Sequence, residues 1–293
     1  MELWYHEHEP GYGYGVSYKI TKALHHEVSD FQEIQILETE GFGRMLVLDK
    51  CVQVTERDEF LYHEMLVHPA MCIHPNPKKV LIIGGGDGGT AREVLRHPDV
   101  QVDMCEIDGA VIEACKKYLP TMACAYDNPR LNLHVADGVA FMKDNSDTFD
   151  LIIIDSTDPV GLAEGLVTSD FYQTCYEALH EDGAIVLQSE SPLVHQQTIQ
   201  KIHTNLKAVF PQTHLYTSPV VFYPTGFWSF TFASKTLHPT ENFVRRRAQQ
   251  LAEETSFYNP GIHYGAFAQP NFVKKILAGE TFYPARNELV GDS

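Results

Sequence analysis

Residues 81–94 read LIIGGGDGGTAREV. A short apolar run that suits a buried strand passes directly into five glycines around Asp87, then into a helix-forming stretch. Strand, glycine loop and helix in that order are what a nucleotide site in an open parallel sheet requires, because glycines allow a tight turn and close approach of the backbone. Gly84, Gly85 and Gly86 form the support of that loop. Glu106 ends the next predicted strand, 20 residues past Gly86, where a carboxylate can accept from both ribose hydroxyls. The alternative is a plain glycine turn with Glu106 at a solvated strand end.

The same alternation continues toward the C-terminus. VQVDMCEID (100–108) predicts a strand, GAVIEACKKYL (109–119) a helix, and LNLHVAD (131–137) and FDLIIIDS (149–156) two further strands. TSDFYQTCYEALH (168–180) predicts a helix capped by Thr168 or Ser169 and closed by Gly183, followed by the strand AIVLQSE (184–190) and the helix HQQTIQKIHTNLKAVF (195–210). THLYTSPVVF (213–222) and GFWSFTFAS (226–234) predict a terminal antiparallel pair. The fold class is therefore α/β, an open and mostly parallel sheet with helices on both faces. Ligands in such sheets sit beyond the carboxyl ends of the strands.

Before Lys78 the pattern differs. VSYKI (16–20), EIQILE (33–38) and RMLVLD (44–49) read as strands. Thr55 is placed to cap a helix over ERDEFLYHEMLVHPAM (56–71), ended by Pro69 and the PNP at 75–77. The boundary falls near 65–78, giving a small β-rich N-terminal domain over 1–70 and a main domain over 71–293.

With 44% apolar residues in 293, the chain can bury a large core. Its apolar runs are strand-length, and the start MELWYHEHEPGYGYG has no basic region leading into an apolar stretch, so a cytoplasmic location is expected. The six cysteines contain no CxxC pair, and His6, His8, His25 and His26 form no metal set. Lys and Arg number 22 against 39 Asp and Glu, a net charge of -17. That balance disfavours nucleic acid and anionic lipid and favours a cationic ligand. The RRR at 245–247 reads as a solvated helix face.

Asp87 selects among nucleotides. A carboxylate in the middle of the loop opposes a pyrophosphate, which argues against a dinucleotide. A sulfonium nucleoside lacks phosphate, and if its side chain ends in an ammonium the aspartate becomes a partner. Intact S-adenosylmethionine also carries a carboxylate, so the acidic loop favours the decarboxylated form. Asp137, followed by Gly138, ends the strand LNLHVA and can accept from the adenine amine or cap the helix starting at Val139.

A second acidic cluster, DSTDP (155–159), supplies Asp155 at a strand end and Asp158 before Pro159. With no His or Cys at metal spacing, an amine explains the pair better than a cation, although the two could hold magnesium. An amine of pKa about 10.4 must lose its proton to attack, at a cost of about 4.6 kcal/mol at pH 7. Asp155 is the candidate proton acceptor and Asp158 the candidate holder of a charged nitrogen, with much of the gain expected from alignment.

With TERDEFLYHEM (55–65), GGGDGG (84–89), DSTDP, YPTGFWSF (223–230) and FYNPGIHYGAFAQPNFV (257–273), the chain closely resembles the spermidine synthases, the polyamine aminopropyltransferases. The resemblance covers nearly the whole chain. It implies a small N-terminal β-domain before a methyltransferase-like Rossmann domain with a C-terminal hairpin, assembled as a homodimer or homotetramer. It implies transfer of the aminopropyl group of decarboxylated S-adenosylmethionine to putrescine, giving spermidine and 5'-methylthioadenosine, with no tightly bound cofactor or metal.

By the same resemblance Gln32, Gln53, His63, Asp87, Glu106, Asp137 and Gly138 serve the donor. Asp155 is the base, Tyr62, Asp158, Gln188 and Tyr223 meet the acceptor, and Trp228 supports the wall. Taken alone, Tyr62 reads as a core aromatic and His63 as a satisfied histidine. Leu162, Val167, Val221 and Phe222 depart from the family pattern around the gate loop and acceptor pocket. A methyltransferase using intact S-adenosylmethionine and a non-catalytic polyamine-binding protein are the competing functions.

Overall fold

The computed structural model describes residues 2–9, 11–143, 145–159 and 161–282, with only the backbone of Leu162. The expectation attached to the Leu162 side chain thus lies outside the described residues.

Five antiparallel strands in chain order form the first sheet: β1 (Leu3–Glu9), β2 (Tyr14–Val28), β3 (Glu33–Thr39), β4 (Arg44–Leu48) and β5 (Cys51–Thr55). The sequence reading foresees only β2, β3 and β4. In β1 the residues turned inward are Tyr5, Glu7 and Glu9. An inner face carrying two carboxylates leaves no apolar alternation to detect.

The second sheet contains β6 (Lys79–Gly84), β7 (Gln101–Glu106), β8 (Leu131–Val135), β9 (Phe149–Asp155), β10 (Leu179–Gln188), β11 (Gln212–Pro219) and β12 (Phe227–Ser234). Their spatial order is β11-β12-β10-β9-β6-β7-β8. Neighbours from β10 to β8 run parallel, whereas β12 is antiparallel to both β10 and β11. This is the expected Rossmann-like sheet with its C-terminal hairpin.

The continuous apolar runs have a simple cause. In β6, Val80 and Ile82 enter the core shared with the first sheet, while Leu81 and Ile83 enter a second core on the opposite face; β9 divides Leu151 and Ile153 from Ile152 and Ile154 in the same way. Both faces are covered, so no position is left for a polar side chain. Each such side chain contributes about 1.5–3 kcal/mol through burial.

Helices α1 (Phe60–Ile73), α2 (Gly89–Leu95), α3 (Gly109–Tyr118), α4 (Pro120–Ala123), α5 (Gly138–Met142), α6 (Ser169–Ala178) and α7 (Gln196–Lys207) connect these strands, and α8 (Arg245–Leu251), α9 (Pro260–Phe267) and α10 (Asn271–Leu277) close the chain. Helix α1 differs from expectation at both ends. Thr55 donates its hydroxyl to Asp58 within the turn that precedes the helix, so it caps nothing. Pro69 lies inside the helix, which continues to Ile73. Proline cannot supply the amide that Met65 O would accept, and the hydroxyl of Tyr216 takes its place at 2.8 Å.

Two further expectations change. Helix α6 is capped by Thr168, which accepts from Phe171 N, but it ends at Ala178 rather than near Gly183. Its last carbonyls, of Glu177 and Ala178, accept from Asp147 N and Thr148 N, and Leu179 already pairs with Phe149 of β9. In the RRR of α8, Arg245 and Arg246 are exposed, but Arg247 is not a solvated charge. Its guanidinium donates to the carbonyls of Met71, His74 and Pro75, satisfying the orphan acceptors at the end of α1.

Candidate active site

Strand β6 lies between β7 and β9, so the chain leaves it toward one edge of the sheet and later returns to the other side. At this switch point, beyond the carboxyl ends of the strands, opens a cavity of about 640 Å³. Residues from the first sheet, among them Gln32, Leu46, Leu48 and Gln53, form part of its wall. Among the described residues that line it are six carboxylates, Asp49, Asp87, Glu106, Asp137, Asp155 and Asp158, and no Lys, Arg or His.

The glycine loop is shaped by what crosses it. Gly84 pairs in register with Asp155, has φ +84°, and would place a Cβ 2.1 Å from Asp155 O. Gly85 N then donates to that same carbonyl at 2.8 Å. Gly86 lines the cavity beside Gly84 and Gly85. At Gly89 a Cβ would meet the His63 ring at 2.3 Å, so the first turn of α2 rests directly on α1.

Asp155 ends β9 with both oxygens oriented. Oδ1 accepts from the Tyr62 hydroxyl at 2.7 Å and Oδ2 from the Thr90 hydroxyl at 2.6 Å. Burial first, then the charge of Asp87, raises this carboxyl above its ordinary range, while His63, Thr90 and Tyr62 pull it back.

Asp87 Oδ1 accepts from Gly89 N at 2.6 Å and lies 3.3 Å from His63 Nε2. His63 is fully buried and stands behind the cavity wall rather than on it. Its Nδ1 is 2.6 Å from Glu59 Oε2, which also receives Arg92 Nη2 at 2.8 Å. Burial would strip the ring of its proton, but Asp87 and Glu59 prevail and hold it charged well above its ordinary range.

Glu106 Oε1 accepts from Asp108 N at 2.9 Å, and burial pushes its carboxyl up to about 7. Asp108 caps α3 through Ala110 N and accepts at Oδ2 from Ser29 (2.7 Å) and Gln32 Nε2 (2.9 Å), which ties the first sheet to the nucleoside side of the cavity. Asp137 caps α5, accepting from Val139 N at 2.8 Å, and with Gly138 also lines the cavity. Gln53 donates to Cys51 O at 3.2 Å.

A smaller chamber of about 30 Å³ adjoins the cavity, and Gln53, Asp158 and Tyr223 line both. Its other walls include Glu7, Glu9, Gln188, His195 and Trp228. Tyr223 packs with ring centroids 5.8 Å from Tyr62 and 4.4 Å from Trp228. Gln188 Oε1 accepts from Glu190 N at 3.0 Å. Enclosure first, then repulsion from Glu190, pushes Asp158 up to about 8, although the residue keeps an exposed surface at the cavity. Phe222 is fully buried against Tyr62 and Tyr223, Val221 faces solvent, and Val167 belongs to the core on the other face of the sheet.

One group of three potential metal ligands comes together among the described residues: His74, Asp150 and Asp182. Asp150 begins β9, at the opposite end of the sheet from the cavity. His74 Nδ1 accepts from Asn76 N at 3.2 Å. Its proton therefore sits on Nε2, which faces the carboxylates as a donor and has no lone pair for a metal.

Residues 59–244 match the spermine/spermidine synthase domain, and residues 3–56 match the spermidine synthase tetramerisation domain. The chain belongs to the spermine/spermidine synthase family. The polyamine aminopropyltransferase of Alkaliphilus metalliredigens is 47% identical over 280 residues, covering 94% of this chain and 98% of that protein. That of Thermotoga maritima is 44% identical over 279 residues, with 94% of each chain covered. The crystal structure of spermidine synthase from Thermotoga maritima superposes with a TM-score of 0.91 at 44% identity, covering 94% of both chains. A spermidine synthase in complex with the transition-state analogue AdoDATO gives 0.92 at 44% identity, covering 94% of this chain and 95% of that one. The resemblance carried by GGGDGG, TERDEF and DSTDP is borne out.

Within this family frame the sequence reading missed Thr90, Asp108, Glu59 and the chamber residues Glu7, Glu9, Glu190 and His195. Thr90, the first polar side chain after the glycine loop, was within reach of sequence reasoning. The chamber residues come from segments nearly 190 positions apart, Glu9 and His195 being separated by 186, so no local pattern joins them. No helix among the described residues is long and apolar enough to cross a membrane.

Proposed function

We propose that this chain transfers the aminopropyl group of decarboxylated S-adenosylmethionine to putrescine, with the larger cavity holding the nucleoside and the smaller chamber the remote end of the amine. It is an enzyme of the polyamine aminopropyltransferase type. The observation that carries the residue roles is Asp155, oriented by Tyr62 and Thr90 in a cavity that the described residues line with six carboxylates and no cationic side chain.

Glu106 accepts from the ribose hydroxyls, and Asp137 retains Oδ2 for the adenine amine while Oδ1 caps its helix. Asp87 meets the ammonium of the donor side chain, and Gln32 and Gln53 complete the wall. In the reaction the amine lone pair attacks the carbon beside the sulfonium, the carbon–sulfur pair of electrons returns to sulfur, and the thioether leaves neutral. The nitrogen's proton passes to Asp155, whose raised carboxyl is a better base than an ordinary aspartate. Tyr62, Tyr223 and Trp228 wall the methylenes, and Asp158 with Gln188 holds the remote ammonium, so alignment supplies much of the acceleration.

The assembly is a homo-oligomer built through the first sheet, and the chain works in the cytoplasm. We divide it at the turn between β5 and α1 rather than near 65–78, because a boundary at residue 70 would cut α1 (Phe60–Ile73), and residues 3–56 and 59–244 each match a domain of their own. Mass spectrometry after mixing the chain with putrescine and decarboxylated S-adenosylmethionine tests the reading. The acceptor gains one C3H7N unit and 5'-methylthioadenosine appears; binding of both ligands with no gain on any amine would sink the catalytic assignment.

A further inference from the structure

The chamber that would receive the remote end of the acceptor is closed by a side chain that is itself a cation. His195 Nε2 lies 3.1 Å from Glu9 Oε1 of β1, and its Nδ1 lies 3.1 Å from Glu190 Oε2 after β10. The ring is packed edge-on against Trp228 at 6.5 Å between centroids, and the preceding carbonyl, Val194 O, accepts from Tyr12 at 2.8 Å. The ring is therefore positioned from both sheets. Its burial opposes a charge, but the carboxylates of Glu190 and Glu9 outweigh burial and hold the ring's pKa up at about 10.

We propose that His195 limits the acceptor to amines with a single remote ammonium, short diamines rather than triamines. This rests on the activity proposed above.

Two features argue for it. The chamber has about 30 Å³, and a water-sized group needs roughly 10–15 Å³, so it admits about two such groups. That is room for an ammonium and its methylene, but not for the three further carbons and nitrogen of a triamine. Charge works the same way. Four carboxylates stand around the chamber: Asp158 is left for the diamine, Glu9 and Glu190 are engaged by the imidazole, and Glu7 already accepts from Val52 N at 2.7 Å. A triamine would have to displace that ring, whereas a diamine stops at Asp158. The side chain thus occupies the place of the nitrogen it excludes.

The test is the ratio of kcat/KM for 1,4-diaminobutane to that for spermidine, with products identified by mass. The unaltered chain favours the diamine by about tenfold or more, the scale of one group gained or lost in a pocket. His195→Ala frees both space and carboxylates, and the ratio moves toward the triamine by about tenfold. His195→Gln, which keeps bulk but not charge, moves it less.

Calorimetry with 5'-methylthioadenosine checks that each variant retains its nucleoside side. An unaltered chain that uses both amines within about threefold, or an Ala variant that binds the nucleoside with its ratio unmoved, overturns the proposal. Loss of nucleoside binding in both variants would make the ring a structural tie and overturn it equally. If the unaltered chain aminopropylates no amine at all, the activity itself is wrong; transfer with an unshifted ratio removes only the role of His195.

Discussion

Tyr62 donates its phenol hydrogen to Asp155 Oδ1 at 2.7 Å, while Thr90 claims Oδ2 from the other side. The carboxylate at the end of β9 therefore cannot rotate without losing two bonds, yet each oxygen keeps a lone pair. Asp155→Asn removes the proposed base and lowers kcat by roughly 10²–10⁴. Donor affinity stays within a few fold, because the nucleoside contacts proposed above are Asp87, Glu106 and Asp137. Tyr62→Phe removes one orienting bond and lowers kcat by about tenfold, the scale of one hydrogen bond to a charged group. Steady-state kinetics with donor titrations checks both; near-normal turnover in the Asn variant would take Asp155 out of the chemistry.

Glu59→Gln reaches the site indirectly. His63 keeps Asp87 as a partner but loses the carboxylate 2.6 Å from Nδ1, so the ring holds its proton less tightly and Asp87 loses part of its support. We expect donor KM to rise by about tenfold with a smaller change in kcat. Nitrogen-15 NMR of the imidazole at mildly alkaline pH checks the cause directly. A charged ring in the parent and a neutral one in the variant is the expected pair of spectra, and identical spectra would exclude the relay.

Ligand-free stability follows from enclosing carboxyls with too little compensating positive charge. Glu7 and Glu106 are pushed up to about 7 and Asp158 to about 8, each by burial first. Above the ordinary carboxylate range the unfolded chain has released these protons and the folded chain has not, so stability is lost as pH rises through 7 to 8. His195, held at about 10 by Glu190 and Glu9 against burial, contributes stability that is complete below the ordinary histidine range and lost on the way to its folded value. His203, His214 and His263, lowered by burial to about 3, 4 and 4, act oppositely, but only below that range. Between about pH 6.5 and 9 the thermal midpoint of the free chain falls, and bound cationic substrates reduce the fall. A midpoint that rises over this interval in calorimetry would contradict the assignment.

Tyr216→Phe deletes the donor that replaces the missing amide of Pro69. A buried carbonyl, Met65 O, is left unsatisfied, at a cost of about 1–3 kcal/mol and a fall of several degrees in Tm. Adding Pro69→Ala restores an N–H at that position. The double variant should recover part of the loss, and denaturant unfolding of all four proteins measures the coupling; strict additivity would show that hydroxyl and amide are not interchangeable there.

Much of the frame was readable because each signal was local. The runs in β6 and β9 required a sheet covered on both faces, GGGDGG required backbone crossing backbone, and DSTDP put two acids at a strand end. The readings that failed did so where a distant partner decided the outcome. Pro69 looks like a terminator until Tyr216, far along the chain, supplies its hydrogen bond. Arg247 looks solvated until the end of α1 is folded against it. Strand β1 gave no strand signal because Glu7 and Glu9 face a chamber instead of a core, and an inner side made of carboxylates carries no hydrophobic period. His63, expected to serve the donor, stands one layer behind the cavity wall, since helix α1 packs under the glycine loop closely enough to exclude any side chain at position 89.

The first strand contributes Glu7 and Glu9 to one end of the reaction chamber, whereas the glycine loop, Glu106 and Asp155 all come from beyond residue 80. The opening strand thus supplies one wall of the end where His195, Asp158 and Gln188, from the second sheet and its loops, supply the other. Grafting a relative's opening fifty-five or so residues onto this frame would replace that one wall while leaving Asp155, Asp158 and His195 in place, so drift in a short segment remote from the displacement can reshape one side of the amine's seat within such enzymes.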